Sequence, residues 1–146
     1  MNGMIAFDYY DGVLEGVCRD LHGMREAYFT LIAWDEEVDG RIFATVEINE
    51  GTIQALADVL SRTHSCPERE VWTPRNRPGD PADAAFMEAL IAEARHRIRT
   101  EGMLLQAFQI ESVPVRSRRV VKSDLARIDR MLASGKYDTI AGWFNP

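Results

Sequence analysis

A chain of 146 residues with 46% hydrophobic and 27% charged side chains reads as a single globular domain, residues 1–146, and not as a disordered segment. No apolar run approaches the ~20 residues of a membrane-spanning helix, Met1-Asn2-Gly3-Met4-Ile5-Ala6 lacks the features of an export signal, and Cys18 and Cys66 are too few for a disulfide framework, so a cytoplasmic protein without a membrane partner is expected. The net charge of −6 divides into −9 over residues 1–60 and +3 over residues 61–146, and the acidic first part discourages non-specific contact with nucleic acid.

Asp11-Gly12 stands between two alternating apolar runs. This is a strong hairpin signal, because a type I′ turn needs positive φ at both central residues. A two-residue turn there pairs Tyr10 with Val13, Tyr9 with Leu14, Asp8 with Glu15, Phe7 with Gly16 and Ile5 with Cys18. One face then gathers Ile5, Phe7, Tyr9, Leu14 and Cys18 as core, with the Phe7 ring lying over Gly16. On the other face Asp8 opposes Glu15. Two like charges so placed call for a metal, a shared proton, an Arg from a neighbouring element or plain exposure, and the last two explain them without any chemistry.

After a connection from Leu21 to Arg25, a third strand is predicted over Glu26 to Trp34. Tyr28, Thr30, Ile32 and Trp34 lie on one of its faces and Ala27, Phe29, Leu31 and Ala33 on the other. Two apolar faces imply a central strand covered on both sides. A fourth strand, Arg41 to Ile48, completes a meander. A helix capped by Asn49 or Thr52 follows, with Ile53, Leu56, Ala57 and Leu60 inward, ending near Thr63.

Residues 64–80 hold Pro67, Pro74, Pro78 and Gly79 and read as an irregular loop anchored by Trp72. Asp80, Pro81 and Gly102 mark the N-cap, first position and stop of a second helix. Its buried stripe is Phe86, Leu90, Ile91, Ala94 and Ile98, with Glu93 and Arg97 paired toward solvent. A strand from Met103 to Ile110, an edge position or break at Pro114, a helix from Ser123 to about Ser134 and an aromatic tail from Tyr137 complete the chain. The architecture expected is α+β: an antiparallel sheet of about five strands, two or three helices mainly on one face.

Few residues carry chemistry. Asp35, Glu37, Asp39 and Gly40 match positions 1, 3, 5 and 6 of a calcium loop, but position 12 is Val46 and Glu47 falls one residue late. The flanks are strands, so an acidic hairpin loop is the simpler reading. His64-Ser65-Cys66 places an imidazole near a thiol without an orienting third group, and His22, His96 and Cys18 do not complete a zinc set. Phosphate-loop, dinucleotide and nucleophile-elbow motifs are missing, so no cofactor is implied. Arg95, Arg97, Arg99, Arg116, Arg118, Arg119, Lys122, Arg127 and Arg130 form a basic stretch. The aromatic residues that single-strand binders interleave are lacking there, and pairing with the acidic sheet is the preferred role.

Phe7-Asp8-Tyr9-Tyr10-Asp11-Gly12, followed by the aromatic strand ending Trp34-Asp35, resembles the opening of small uncharacterised bacterial proteins that begin with an FDYYDG-type hairpin. The resemblance covers the first third of the chain. It implies a compact cytosolic domain and assigns no activity.

The function expected is a non-enzymatic interaction protein, of the immunity or regulatory type, for another bacterial protein. Asp35, Glu36, Glu37 and Asp39 would face a basic partner. The alternative is a small enzyme or anion-binding domain in which Arg75 and Arg77 clamp an anion beside Trp72. Nucleic-acid binding through residues 95–130 ranks below both.

Overall fold

The structure is a computed structural model that describes residues 4–9, 13–35, 40–63, 80–107 and 117–121. Its elements are β1 (Met4–Tyr9), β2 (Val13–Leu21), β3 (Met24–Asp35), β4 (Gly40–Glu47), α1 (Thr52–Thr63), α2 (Pro81–Glu101), β5 (Met103–Ala107) and β6 (Ser117–Arg119). The strands form one antiparallel sheet in chain order, β1 to β6. An α+β fold on an antiparallel sheet is therefore correct, with six strands among the described residues instead of about five. The sixth is a three-residue strand in the basic stretch, too short and too charged to show an apolar alternation.

Both described helices lie on one face. Ile53, Leu56 and Val59 of α1 and Met87, Ala94 and Ile98 of α2 join Ile5, Phe7, Val17, Tyr28, Ile42, Ala44, Val46 and Leu104 in one buried cluster. Helix α1 packs over β1 and β2, and α2 over β4. Asp80 caps α2 by accepting from Ala82 N at 2.8 Å and Asp83 N at 3.2 Å, and Gly102 N donates to Ile98 O at 3.0 Å to close it. Of the expected stripe, Ala94 and Ile98 are buried and Leu90 and Ile91 pack against the core, and only Phe86 departs from it. Met87 is buried, whereas Phe86 is 39% exposed.

The second face is just as dry, yet among the described residues its cluster consists of strand residues: Cys18, Leu21, Met24, Ala27, Phe29, Phe43, Leu105 and Ala107. One contact explains how. Ser117 of β6 is level, through Ala107 and Arg41, with Trp34 of β3. A flat sheet would hold it three strands and about ten residues away from the β2–β3 turn, roughly 35 Å. The His22 ring in that turn instead reaches Ser117 Oγ at 3.1 Å. The sheet is therefore coiled around its second face, in the manner of a partly rolled barrel filled by its own side chains. Phe29 and Phe43 meet edge to face there at 5.8 Å. Small residues beside large ones suit such an interior. Arg41 and Thr45 share the parity of Phe43, and both are fully buried.

His22 and Ser117 thus tie one end of the roll to its last strand. Removing either side chain by alanine is expected to lower stability by about 1 kcal/mol. A double-mutant cycle from urea unfolding should return a coupling near that size, and additive losses would show that the contact does not hold the roll.

The first hairpin departs from expectation. Asp8 does oppose Glu15, but Tyr9 pairs with Val13, Ala6 with Gly16, Ile5 with Val17 and Met4 with Cys18. Three residues, 10–12, thus connect the strands, and register shifts on both sides of Asp8 absorb the change. Phe7 lies at the register shift between Ala6 and Asp8, and Cys18 belongs to the coiled face, opposite Ile5 and Phe7. The ring over Gly16 is Phe29, its direct partner on β3. The two-residue turn with positive φ occurs in the next hairpin, where Leu21 pairs with Met24 across His22 (φ 47°) and Gly23 (φ 86°). A further register shift between Leu31 and Ala33 turns Ala33 onto the helix face.

Candidate functional site

The helix face carries two polar constellations. In the first, Glu15 of β2 and Tyr28 of β3 meet Arg95 of α2. The Tyr28 hydroxyl donates to Glu15 Oε2, and Arg95 reaches the same oxygen through Nη2 at 2.7 Å and Nε at 3.1 Å. Arg95 Nε also lies 3.2 Å from the Tyr28 oxygen. Burial, then the Glu15 charge, raise the Tyr28 pKa, so the phenol keeps its proton. Hydrogen bonds to Tyr28 and Glu15 raise the Arg95 pKa in turn. Tyr28 is fully buried. It cannot touch a substrate, and the cluster serves to fasten α2 to the sheet. It also places an Arg from a helix beside the carboxylate that the strand register sets opposite Asp8.

The second constellation is an open cleft of about 260 Å³ between the start of α1 and the middle of α2. Ile48, Leu90 and Ala94 line its floor, Phe86 forms a wall, and Asn49, Thr52, Glu93 and Arg97 supply polar groups. Beside the cleft, a carboxylate from β3 holds the start of α1. Glu26, 5% exposed, accepts from Gly51 N at 2.5 Å and Ile53 N at 2.7 Å. It thereby caps α1 from outside the helix, which neither Asn49 nor Thr52 does; the Thr52 hydroxyl donates to Asn49 O. Arg97 sets the far side. Its Nε donates to Glu101 at 2.9 Å and its Nη2 to the Glu47 carbonyl at 2.7 Å.

Of the predicted site residues, only Asp35 is among the described ones. Asp35 ends β3 opposite Gly40, while Glu36, Glu37 and Asp39 lie outside the described residues. Trp72, Arg75 and Arg77 also lie outside them, as do His64, Cys66 and the helix expected from Ser123. Arg95 and Arg97 are engaged within the fold, and Arg118 Nη2 donates to Gln106 Oε1 at 2.9 Å. Among the described residues no three His, Cys, Asp or Glu side chains converge as metal ligands, and no helix is long and apolar enough to cross a membrane. Glu26 and Tyr28 went unnoticed in the sequence because they alternate like any strand residues; only packing shows what they hold.

Cys18 is an inert thiol. Burial, helped by the nearby Asp20 charge, pushes its pKa from 9.0 up to about 12. An unfolded thiol ionises above pH 9 while the folded one keeps its proton, so the native state binds more protons and stability falls as pH rises. Between pH 8 and pH 10 this group should remove about 1 kcal/mol. Urea unfolding of the wild type and Cys18→Ala across that range checks it; the variant should show the smaller decline.

No family model, curated protein or solved structure matches the chain.

Proposed function

We propose that the chain is a non-enzymatic interaction protein, an immunity-type or regulatory partner of another bacterial protein, that meets a basic surface through Asp35, Glu36, Glu37 and Asp39. The supporting observation is the pairing of β3 and β4 to their last residues, Asp35 with Gly40. The three acids of the sequence Glu36-Glu37-Val38-Asp39 are therefore carried on a four-residue link at the end of the sheet's central hairpin. A basic partner would be steered by such a charge cluster, and steering speaks mainly in the association rate. The described titratable groups with shifted pKa values, Cys18, Tyr28 and Arg95, are all engaged in holding the fold.

The test uses a partner captured by the full chain and then purified. Changing Glu36, Glu37 and Asp39 together to lysine should slow association at least about tenfold and flatten its salt dependence. An unchanged rate and salt slope would show that the acidic link is not the contact surface.

A further inference from the structure

We propose that the cleft between α1 and α2 binds an apolar residue bearing a free α-carboxylate and a neighbouring N–H donor, either as a free amino acid or as the last residue of a peptide. This goes beyond the protein-docking reading and is independent of it. The cleft lies past Glu47, at the far end of β4 from the acidic link, roughly 25 Å away along the strand.

Size comes first. At about 260 Å³ the cleft lies just below the volumes that hold cofactors and drug-sized ligands, about 300–1,000 Å³, and suits one amino-acid residue. Its floor is apolar, and the 39% exposed Phe86 ring is one of two large hydrophobic side chains that face solvent among the described residues. An aliphatic or aromatic side chain laid on Ile48, Leu90 and Ala94 against Phe86 would remove that surface from water.

The charges are fixed for a ligand that carries both signs. Glu101 and the Glu47 carbonyl hold the Arg97 guanidinium by Nε and Nη2, so little rotamer freedom remains to be lost on binding. Its third nitrogen, Nη1, is 3.8 Å from Glu93 Oε1, beyond hydrogen-bonding distance. Arg97 and the two-thirds exposed Glu93 thus form an ion pair too long for a hydrogen bond, into which a ligand carrying both signs would insert. The α-carboxylate and α-nitrogen of an amino acid are likewise adjacent groups. Nη1 would donate to the carboxylate and Glu93 would accept from the nitrogen, with Asn49 and Thr52 on the opposite rim. Anion binding at the start of α1 is already forestalled, because the Glu26 carboxylate occupies the Gly51 and Ile53 N–H groups.

The experiment titrates the full chain by calorimetry with L-phenylalanine, L-leucine, N-acetyl-L-leucine, L-leucinamide and a hexapeptide ending in leucine. Millimolar or tighter binding of a free-carboxylate probe, with the amide at least about tenfold weaker, is expected. Ala89→Trp places a large ring in the cleft from an exposed helix position and should abolish binding with the circular dichroism of the wild type retained. Glu93→Gln should weaken L-leucine by about tenfold and N-acetyl-L-leucine less. Preference for the hexapeptide assigns the site to a chain terminus; preference for L-leucine or L-phenylalanine assigns it to a free amino acid. Absence of binding by every probe at 10 mM, about −3 kcal/mol, overturns the proposal, as does binding that survives Ala89→Trp.

Discussion

Glu26→Ala is expected to lower the unfolding free energy by about 3 kcal/mol and to loosen α1 before the sheet. The carboxylate, buried at the β3 end, accepts from two backbone N–H groups that helix geometry leaves without partners. Its loss strands both donors, each at about 1–3 kcal/mol, and removes a negative charge from the positive end of the helix dipole. Glu26→Gln keeps one acceptor oxygen and turns its amide N–H group toward a donor, so an intermediate loss is expected. Urea unfolding gives the size. Hydrogen exchange gives the place: amides of α1 should lose protection in Glu26→Ala while those of β4 keep theirs. Uniform loss across the sheet would mean that the cap does not act on α1. Because Asn49 and Thr52 flank the cap and line the cleft, the same substitution should disturb any ligand bound there.

Gly16→Ala is the second large effect, expected to cost about 3 kcal/mol or more. A Cβ at position 16 would stand 2.3 Å from the Ile5 carbonyl oxygen and 3.1 Å from both Ala6 Cα and the Phe29 ring. The Phe29 ring could give way. The Ile5 carbonyl belongs to a paired strand and can move only if β1 separates from β2. Gly23→Ala provides the control, since its Cβ would meet nothing within 4 Å and only the positive φ of 86° opposes it. That change should cost only about 1 kcal/mol. Equal losses at the two positions would contradict the close approach of β1, β2 and Phe29.

Much of the fold could be read from residue patterns, for local reasons. The α2 boundaries are correct because Asp80, Pro81 and Gly102 act through their own backbone neighbourhood. The meander is correct because alternation and short connections force adjacent strands to pair. Two covered faces were legible in β3, since Phe29 and Tyr28 point opposite ways and both are apolar enough to be buried. The register of the first hairpin was not. Asp-Gly indicates a turn but does not reveal an added residue: Ile5 moved from Cys18 to Val17 and Tyr9 from Leu14 to Val13, while Asp8 kept Glu15.

The candidate site was less legible. Residue pattern placed Glu93 and Arg97 one helical turn apart on α2. Their grip on a cleft depends on Glu47, Glu101 and the chain entering α1, which packing brings together. The same holds for Glu15, whose partner Arg95 is 80 residues away.

By itself the sequence determined the class of fold, the capped helix and the acidic character of the β3–β4 link, because each depends on neighbours within a few positions. Tertiary structure alone decided that the sheet rolls over Phe29 and Phe43, that Glu26 caps a helix 25 or more residues away, and that the Arg97–Glu93 ion pair lies over an apolar floor. These depend on sheet twist and on pairs distant along the chain, and no local pattern of residues encodes such distances.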